Sequence, residues 1–246
     1  MSSASLEAQA ERFAEDLTET VSDVVPGIAA FAATSLSSDA GERFLVRQSP
    51  NTGIALRVGD EPLLTLTVEY RCRLDGHDRY LAVDESSIKV FAGSRAAGEP
   101  LFRFEYVRST HDGVPAAHLH VHAHRDALTY VMARCGDSTG RARRRQQTAQ
   151  VPRSDELHFP LGGHRFRPCL EDVLEMLITE LGVDHPDAAR AALRAGRESW
   201  RRTQTRSVVR DAPSEAIAAL EDLGYEVSFK GLGSNQPENV ARLQDY

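Results

Sequence analysis

Lysine is nearly missing from this chain: two residues, Lys89 and Lys230, stand beside 27 arginines. Both side chains carry the same positive charge, so no binding need explains the skew. The base composition of a GC-rich bacterial genome does. Cysteine is scarce as well. Cys72, Cys135 and Cys169 are odd in number, widely spaced and form no CxxC pair, which excludes a disulfide framework and a cysteine-built structural zinc site. Nowhere does an apolar run approach the eighteen or more residues of a membrane span. The best stretch, Val24 to Ala33, is broken by Pro26 and Gly27 and follows an acidic rather than a basic segment, unlike an export signal. A cytoplasmic protein without a membrane partner is expected. The net charge of −7 argues against indiscriminate nucleic-acid binding, though local patches can depart from the mean.

What is present is the composition of a globular protein, with 41% hydrophobic and 26% charged residues. Residues 5–25 read as a helix, because Leu6, Ala10, Phe13, Leu17, Val21 and Val24 recur at three- and four-residue spacing before Pro26-Gly27 stops the run. Its other face carries Glu7, Glu11, Glu15 and Glu19. From residue 53 the period changes to two. Ile54–Val58, Leu64–Leu74, Tyr80–Val83, Ile88–Phe91, Leu101–Val107 and Ala117–His124 read as strands, joined by turns such as Gly59-Asp60 and Asp75-Gly76. Consecutive strands without intervening helices predict an antiparallel meander over 53–131.

Residues 136–154, with Arg141, Arg143, Arg144 and Arg145, read as a mobile basic loop. Residues 157–230 form a helical C-terminal part, opened by a short strand at Leu157–Phe159 and closed by another at Tyr225–Phe229. A loose tail occupies 231–246. The expectation is one α+β domain over 1–246: an antiparallel meander of about five to seven strands, with an N-terminal helix and a helical C-terminal third packed on it.

The most unusual segment is His118-Leu119-His120-Val121-His122-Ala123-His124-Arg125-Asp126. Alternation on a strand puts four imidazoles on one face and Leu119, Val121 and Ala123 on the other. Residues two apart on a strand are separated by about 6.6–7 Å, so one metal takes an adjacent HxH pair but not all four rings. A third ligand must come from elsewhere, and Asp126, His111, His158 and His164 are the candidates. Imidazole also serves acid–base chemistry near neutral pH. A half-exposed sheet face, however, also carries polar side chains that have no task.

The segment 157–168 places His158, His164, Arg165 and Arg167 around Gly162-Gly163 ahead of a helix, where backbone and guanidinium groups suit an anion; a plain strand-to-helix turn reads the same way. Arg190, Arg194, Arg197 and Arg201 line one face of a later helix, either as an ordinary solvated face or as the complement of the Glu7–Glu19 stripe, within the chain or across a homodimer. The Arg141–Arg145 cluster suits nucleic-acid phosphates, but without interleaved aromatics for stacking.

The histidine segment resembles the H-φ-H-φ-H-φ-φ signature of histidine-triad nucleotide hydrolases, except that His124 stands at the final apolar position. It resembles the HxHxDH of metallo-β-lactamases at His122–Ala127 without the last histidine, and the HxH pair of cupins without their glycine-containing context. FRFEYVRS at 102–109, HVHAHRDALTYVM at 120–132 and HFPLGGHRFRPCLEDVLEMLI at 158–178 resemble an uncharacterised family of actinobacterial proteins over nearly the whole length. Residues 62–124 with the HFP at 158–160 are similar to TumE-type toxins of toxin–antitoxin pairs, which implies RNA-directed work. Two functions follow as expectations. One is an enzyme acting on a phosphoester or RNA, assisted by a divalent transition metal. Its catalytic groups would be His122, His124, Asp126, His158 and His164, with Arg165, Arg167, His118 and His120 binding substrate. The other is a non-catalytic interaction protein that uses its acidic and basic helix faces.

Overall fold

The computed structural model describes residues 5–27, 29–36, 41–75, 79–108, 116–122, 125–147, 152, 167–230, 237–240 and 243, with backbone alone at 125, 141 and 144–146. It forms two compact units, Met1–Gly196 and Arg197–Tyr246.

The first unit is the expected α+β arrangement. Helix α1 (Leu6–Val24) is capped by Ser5, whose side chain accepts from the Ala8 amide, and it buries Leu6, Ala10, Ala14, Leu17, Val21 and Val24. Strands β1 (Ala30–Ser35), β2 (Phe44–Ser49), β3 (Ile54–Val58), β4 (Glu61–Leu74), β5 (Leu81–Ala92), β6 (Phe102–Val107) and β7 (Ala117–Val121) follow. They make one seven-stranded sheet in the order β1-β2-β4-β5-β6-β7, with β3 paired to β4 beside that path. Every pairing is antiparallel.

The long β4 serves two partners. Its residues 69–72 pair with β2 and 61–66 with β3. The gap leaves the buried Val68 amide without a strand partner, and the Gln48 side-chain oxygen accepts from it at 2.7 Å. Gly53 sits at the same break with φ +94°, and a Cβ there would fall 2.5 Å from the Thr65 methyl.

Helices α2 (Arg125–Arg134), α3 (Gly140–Gln147), α4 (Leu170–Leu181) and the start of α5 (Ala189–Asp211) complete the unit. The core joins α1, the even-numbered residues of β4 to β6 (Leu64, Leu66, Val68, Ile88, Val90, Phe102, Phe104), Val131 and Met132 of α2, and most of α4. One face of the sheet is therefore apolar. The other carries Thr67, Glu69, Ser87, Lys89, Arg103 and Glu105.

Several local expectations are corrected. The basic loop expected at 136–154 contains helix α3, because Thr139 caps it by accepting from the Ala142 amide at 3.0 Å and Ala142 is fully buried. Arginine is a good helix former, so a run of them is no mark of a loop. Tyr80–Val83 and Ile88–Phe91 are one strand, β5. Strands β1 and β2 were not expected. The histidine strand ends at Val121, short of the expected His124, although the His122 amide still donates to the Leu101 carbonyl at 3.0 Å. No strand forms at Tyr225–Phe229. The short strand expected at 157–159 and most of the 231–246 tail lie outside the described residues.

The second unit holds the end of α5 and α6 (Pro213–Asp222), whose first turn begins on a proline. Leu220, Leu223, Tyr225 and Phe229 are exposed there.

Candidate functional site

The site is made by two neighbouring strands. In β6 the sequence alternates Phe102, Phe104 and Tyr106 into the core with Arg103 and Glu105 on the far face. In β7, Leu119 packs against the core, so His118 and His120 share the face of Arg103 and Glu105. The register sets Glu105 opposite His118 and Arg103 opposite His120. One strand further in, Ser87 stands opposite Glu105 and Lys89 opposite Arg103. Two rungs thus read Ser87–Glu105–His118 and Lys89–Arg103–His120.

Within them the Glu105 Oε2 atom lies 3.4 Å from His118 Nε2 and 3.5 Å from His120 Nε2. The imidazole rings meet edge to face, with centroids 4.8 Å apart and planes at 82°. All three ligand atoms fall within 4.8 Å of one another, the one such group of His, Cys, Asp or Glu among the described residues. Ordinary N–H···O bonds span about 2.7–3.2 Å, so these contacts are those of a loose ion pair rather than of well-formed hydrogen bonds. A metal with bonds of ~2.0–2.1 Å at tetrahedral angles holds its donor atoms about 3.3–3.4 Å apart.

Exposure decides whether such a site is open. The side chains of His118 and Glu105 are 13% and 21% exposed and that of His120 is 43% exposed. Two donors are held firmly and the third faces solvent. Desolvation, and after it the Arg103 guanidinium, lower the His120 pKa from its ordinary value against the pull of Glu105, with His118 and His122 adding to the lowering. A neutral imidazole is the form that ligates.

Around the triad, three buried polar atoms have no hydrogen-bond partner among the described residues: Ser87 Oγ, Arg103 Nε and His122 Nε2. A buried donor left unpaired costs about 1–3 kcal/mol, and all three stand on this one face or at the end of its last strand. Arg103 Nε approaches Glu105 Oε2 at 3.2 Å as an ion pair. His122 directs its Nδ1 to Glu99 Oε1 at 2.5 Å; Glu99 lies in the β5–β6 connection.

The expected site residues separate. His118 and His120, expected as substrate-binding, are the central pair. His122 lies at the edge of the group, its ring 6.3 Å from that of His120. Asp126 is exposed in the first turn of α2 and, among the described residues, joins no cluster of metal-ligating groups. Arg167 stacks over Tyr106 at 4.0 Å, and Tyr106 leaves β6 on the face opposite Glu105. His111, His124, His158, His164 and Arg165 lie outside the described residues. Arg190 pairs with Glu175 at 2.7 Å rather than with the α1 glutamates, because α4 rather than α1 presents a carboxylate to it. Glu105, Arg103, Ser87 and Lys89 were not anticipated. The alternation in FRFEYV marks Glu105 as facing away from the core, the one signal that pointed to it.

No family model, no curated protein and no solved structure matches the chain.

Proposed function

We propose that His118, His120 and Glu105 hold one divalent transition-metal ion and that the protein is a metal-assisted hydrolase. The observation that carries this is the pair of separations from Glu105 Oε2 to the two Nε2 atoms, 3.4 and 3.5 Å. They lie beyond the usual hydrogen-bond range and close to the spacing of two donors on one small cation. Two imidazoles and one carboxylate suit zinc or iron and leave coordination positions open, as catalytic rather than structural sites do. Among the described residues β7 is the last strand of the sheet. A bound ion there would lower the pKa of a coordinated water to about 7. The chain itself positions the donors: the β6–β7 ladder sets their register and Leu119 anchors the strand in the core.

Metal uptake tests the reading. Metal-free protein titrated with zinc or cobalt should bind one equivalent, and His118→Ala, His120→Ala and Glu105→Gln should each weaken binding by more than about 100-fold, beyond the loss that follows removal of an outer-shell partner. Uptake that none of the three substitutions changes would end the proposal.

A further inference from the structure

The groups next to the triad define what the site would act on. We infer that the polar face beside His118, His120 and Glu105 binds a phosphoryl group, a doubly charged tetrahedral oxyanion, through Arg103 and Lys89 with the Ser87 hydroxyl beside them. The inference rests on the metal reading above and adds the chemical class of its substrate.

Three observations carry it. The first is position. Arg103 and Lys89 lie on the same rung as His120, and Ser87 lies on the rung of Glu105 and His118, so the cationic groups and the hydroxyl run up to the triad from its inner side. The second is unmet bonding. Among the described residues Ser87 Oγ is buried and lacks a hydrogen-bond partner, Arg103 Nε is buried and meets only the Glu105 carboxylate, at 3.2 Å, and Lys89, one of only two lysines in the chain, makes no ion pair. A tetrahedral oxyanion accepts from both kinds of donor, and the planar guanidinium fork matches two of its oxygens.

The third is charge. Glu105 is the carboxylate that now faces Arg103. Further along the same face Glu69 and Glu85 both approach Arg71, at 3.5 and 3.6 Å, and Glu99 is engaged by His122. A divalent cation on the triad takes up the charge of Glu105, and Arg103 and Lys89 then add two further positive charges without a counter-anion on their rungs. The sum with the cation is three positive charges, of which a dianion offsets two and a carboxylate only one. A tetrahedral phosphoryl group therefore fits better than a carboxylic acid.

The test uses full-length protein loaded with cobalt, whose visible spectrum reports changes at the ion, and inorganic phosphate as the probe, with acetate as the comparison. Phosphate should shift the spectrum with one saturable site. Arg103→Gln should weaken phosphate binding by about tenfold or more and Lys89→Gln by at least severalfold, as expected for charge-assisted hydrogen bonds. Lys89→Gln should take up cobalt with wild-type affinity, Arg103→Gln is compared at saturating cobalt because Arg103 pairs with the ligand Glu105, and Arg103→Lys should recover part of the loss. Acetate should bind at least about tenfold more weakly than phosphate. Phosphate binding that neither substitution affects, acetate that binds as well, or a spectrum that phosphate leaves unmoved would overturn the inference while the metal reading stands. If cobalt does not bind through the triad, the metal reading fails first and this inference falls with it. Circular dichroism and melting of each variant separate a lost contact from a lost fold, and Lys89→Gln, which carries no buried unpaired atom, keeps the test decisive if Arg103→Gln does not fold.

Discussion

Glu105 and His118 face each other across the β6–β7 ladder, the carboxylate oxygen 3.4 Å from the imidazole nitrogen. The pairing is a consequence of register. A slip of one residue in β7 would send both histidines into the core and leave Glu105 opposite an apolar side chain. Leu119 in the core and Glu105 in the site therefore specify the same alignment.

The position of Asp126 separates this site from the one expected of a contiguous HxHxD segment. Asp126 is exposed in the first turn of α2. Asp126→Ala should leave zinc affinity within about twofold of wild type, since an exposed charge outside the ligand set contributes little. A large loss, measured by competition with a chromophoric chelator, would place the ligand set further along the chain.

The buried thiols give a pH dependence of known sign. Burial, with Asp84 adding to it, raises Cys72 from its ordinary value near 9 to about 12. The folded state thus keeps a proton that the unfolded state releases. The stability tied to that proton is complete below about pH 9 and is lost as pH rises toward 12. The loss across that window is on the order of a few kcal/mol. Urea melts at pH 8 and pH 10.5 should show the lower midpoint at the higher pH, and thiol reagents at pH 8 should label Cys72 only after unfolding. Rapid labelling of the native protein would contradict the burial.

Gly182 ends α4 in the left-handed conformation, φ +68°, and a Cβ there would collide with the Cys135 backbone carbonyl. Backbone strain and overpacking act together, so Gly182→Ala should cost about 2–4 kcal/mol. Thermal melting checks it, and an unchanged midpoint would show that α4 and the residues after α2 can separate without penalty.

Gln48 fills the break between β2 and β3 by accepting from the Val68 amide at 2.7 Å. Gln48→Leu fits a similar volume but strands a buried N–H, with an expected loss of about 1–3 kcal/mol. Amide exchange at Val68 should accelerate in the variant more than at Leu66, which keeps its strand partner Ile54.

Much of the architecture is legible from periodicity. The three- and four-residue spacing from Leu6 to Val24 marks α1 to within a residue of its ends, and the alternation from Leu64 to Leu74 marks β4. Periodicity reports which face a side chain leaves by, and it reports nothing about which residue lies opposite. That limit explains the site. His118 and His120 were legible as a co-facial pair, whereas Glu105, thirteen positions before His118, becomes their partner only through the β6–β7 register. Arg167 shows the converse. Its charge and its place before a helix read as anion binding, but the Tyr106 ring on the other face of the sheet receives it. Strands β1 and β2 escaped notice: β2 joins the sheet by pairing with β4, and β1 only by pairing with β2. Helix α3 escaped because polarity was read as irregularity.

X-ray absorption at the metal edge of the zinc-loaded protein tests the central claim most directly. A first shell of nitrogen and oxygen at ~2.0–2.1 Å, with the outer-shell scattering of two imidazoles that falls to one in His118→Ala, is the predicted result. A sulfur shell, or imidazole scattering unchanged by that substitution, would contradict it.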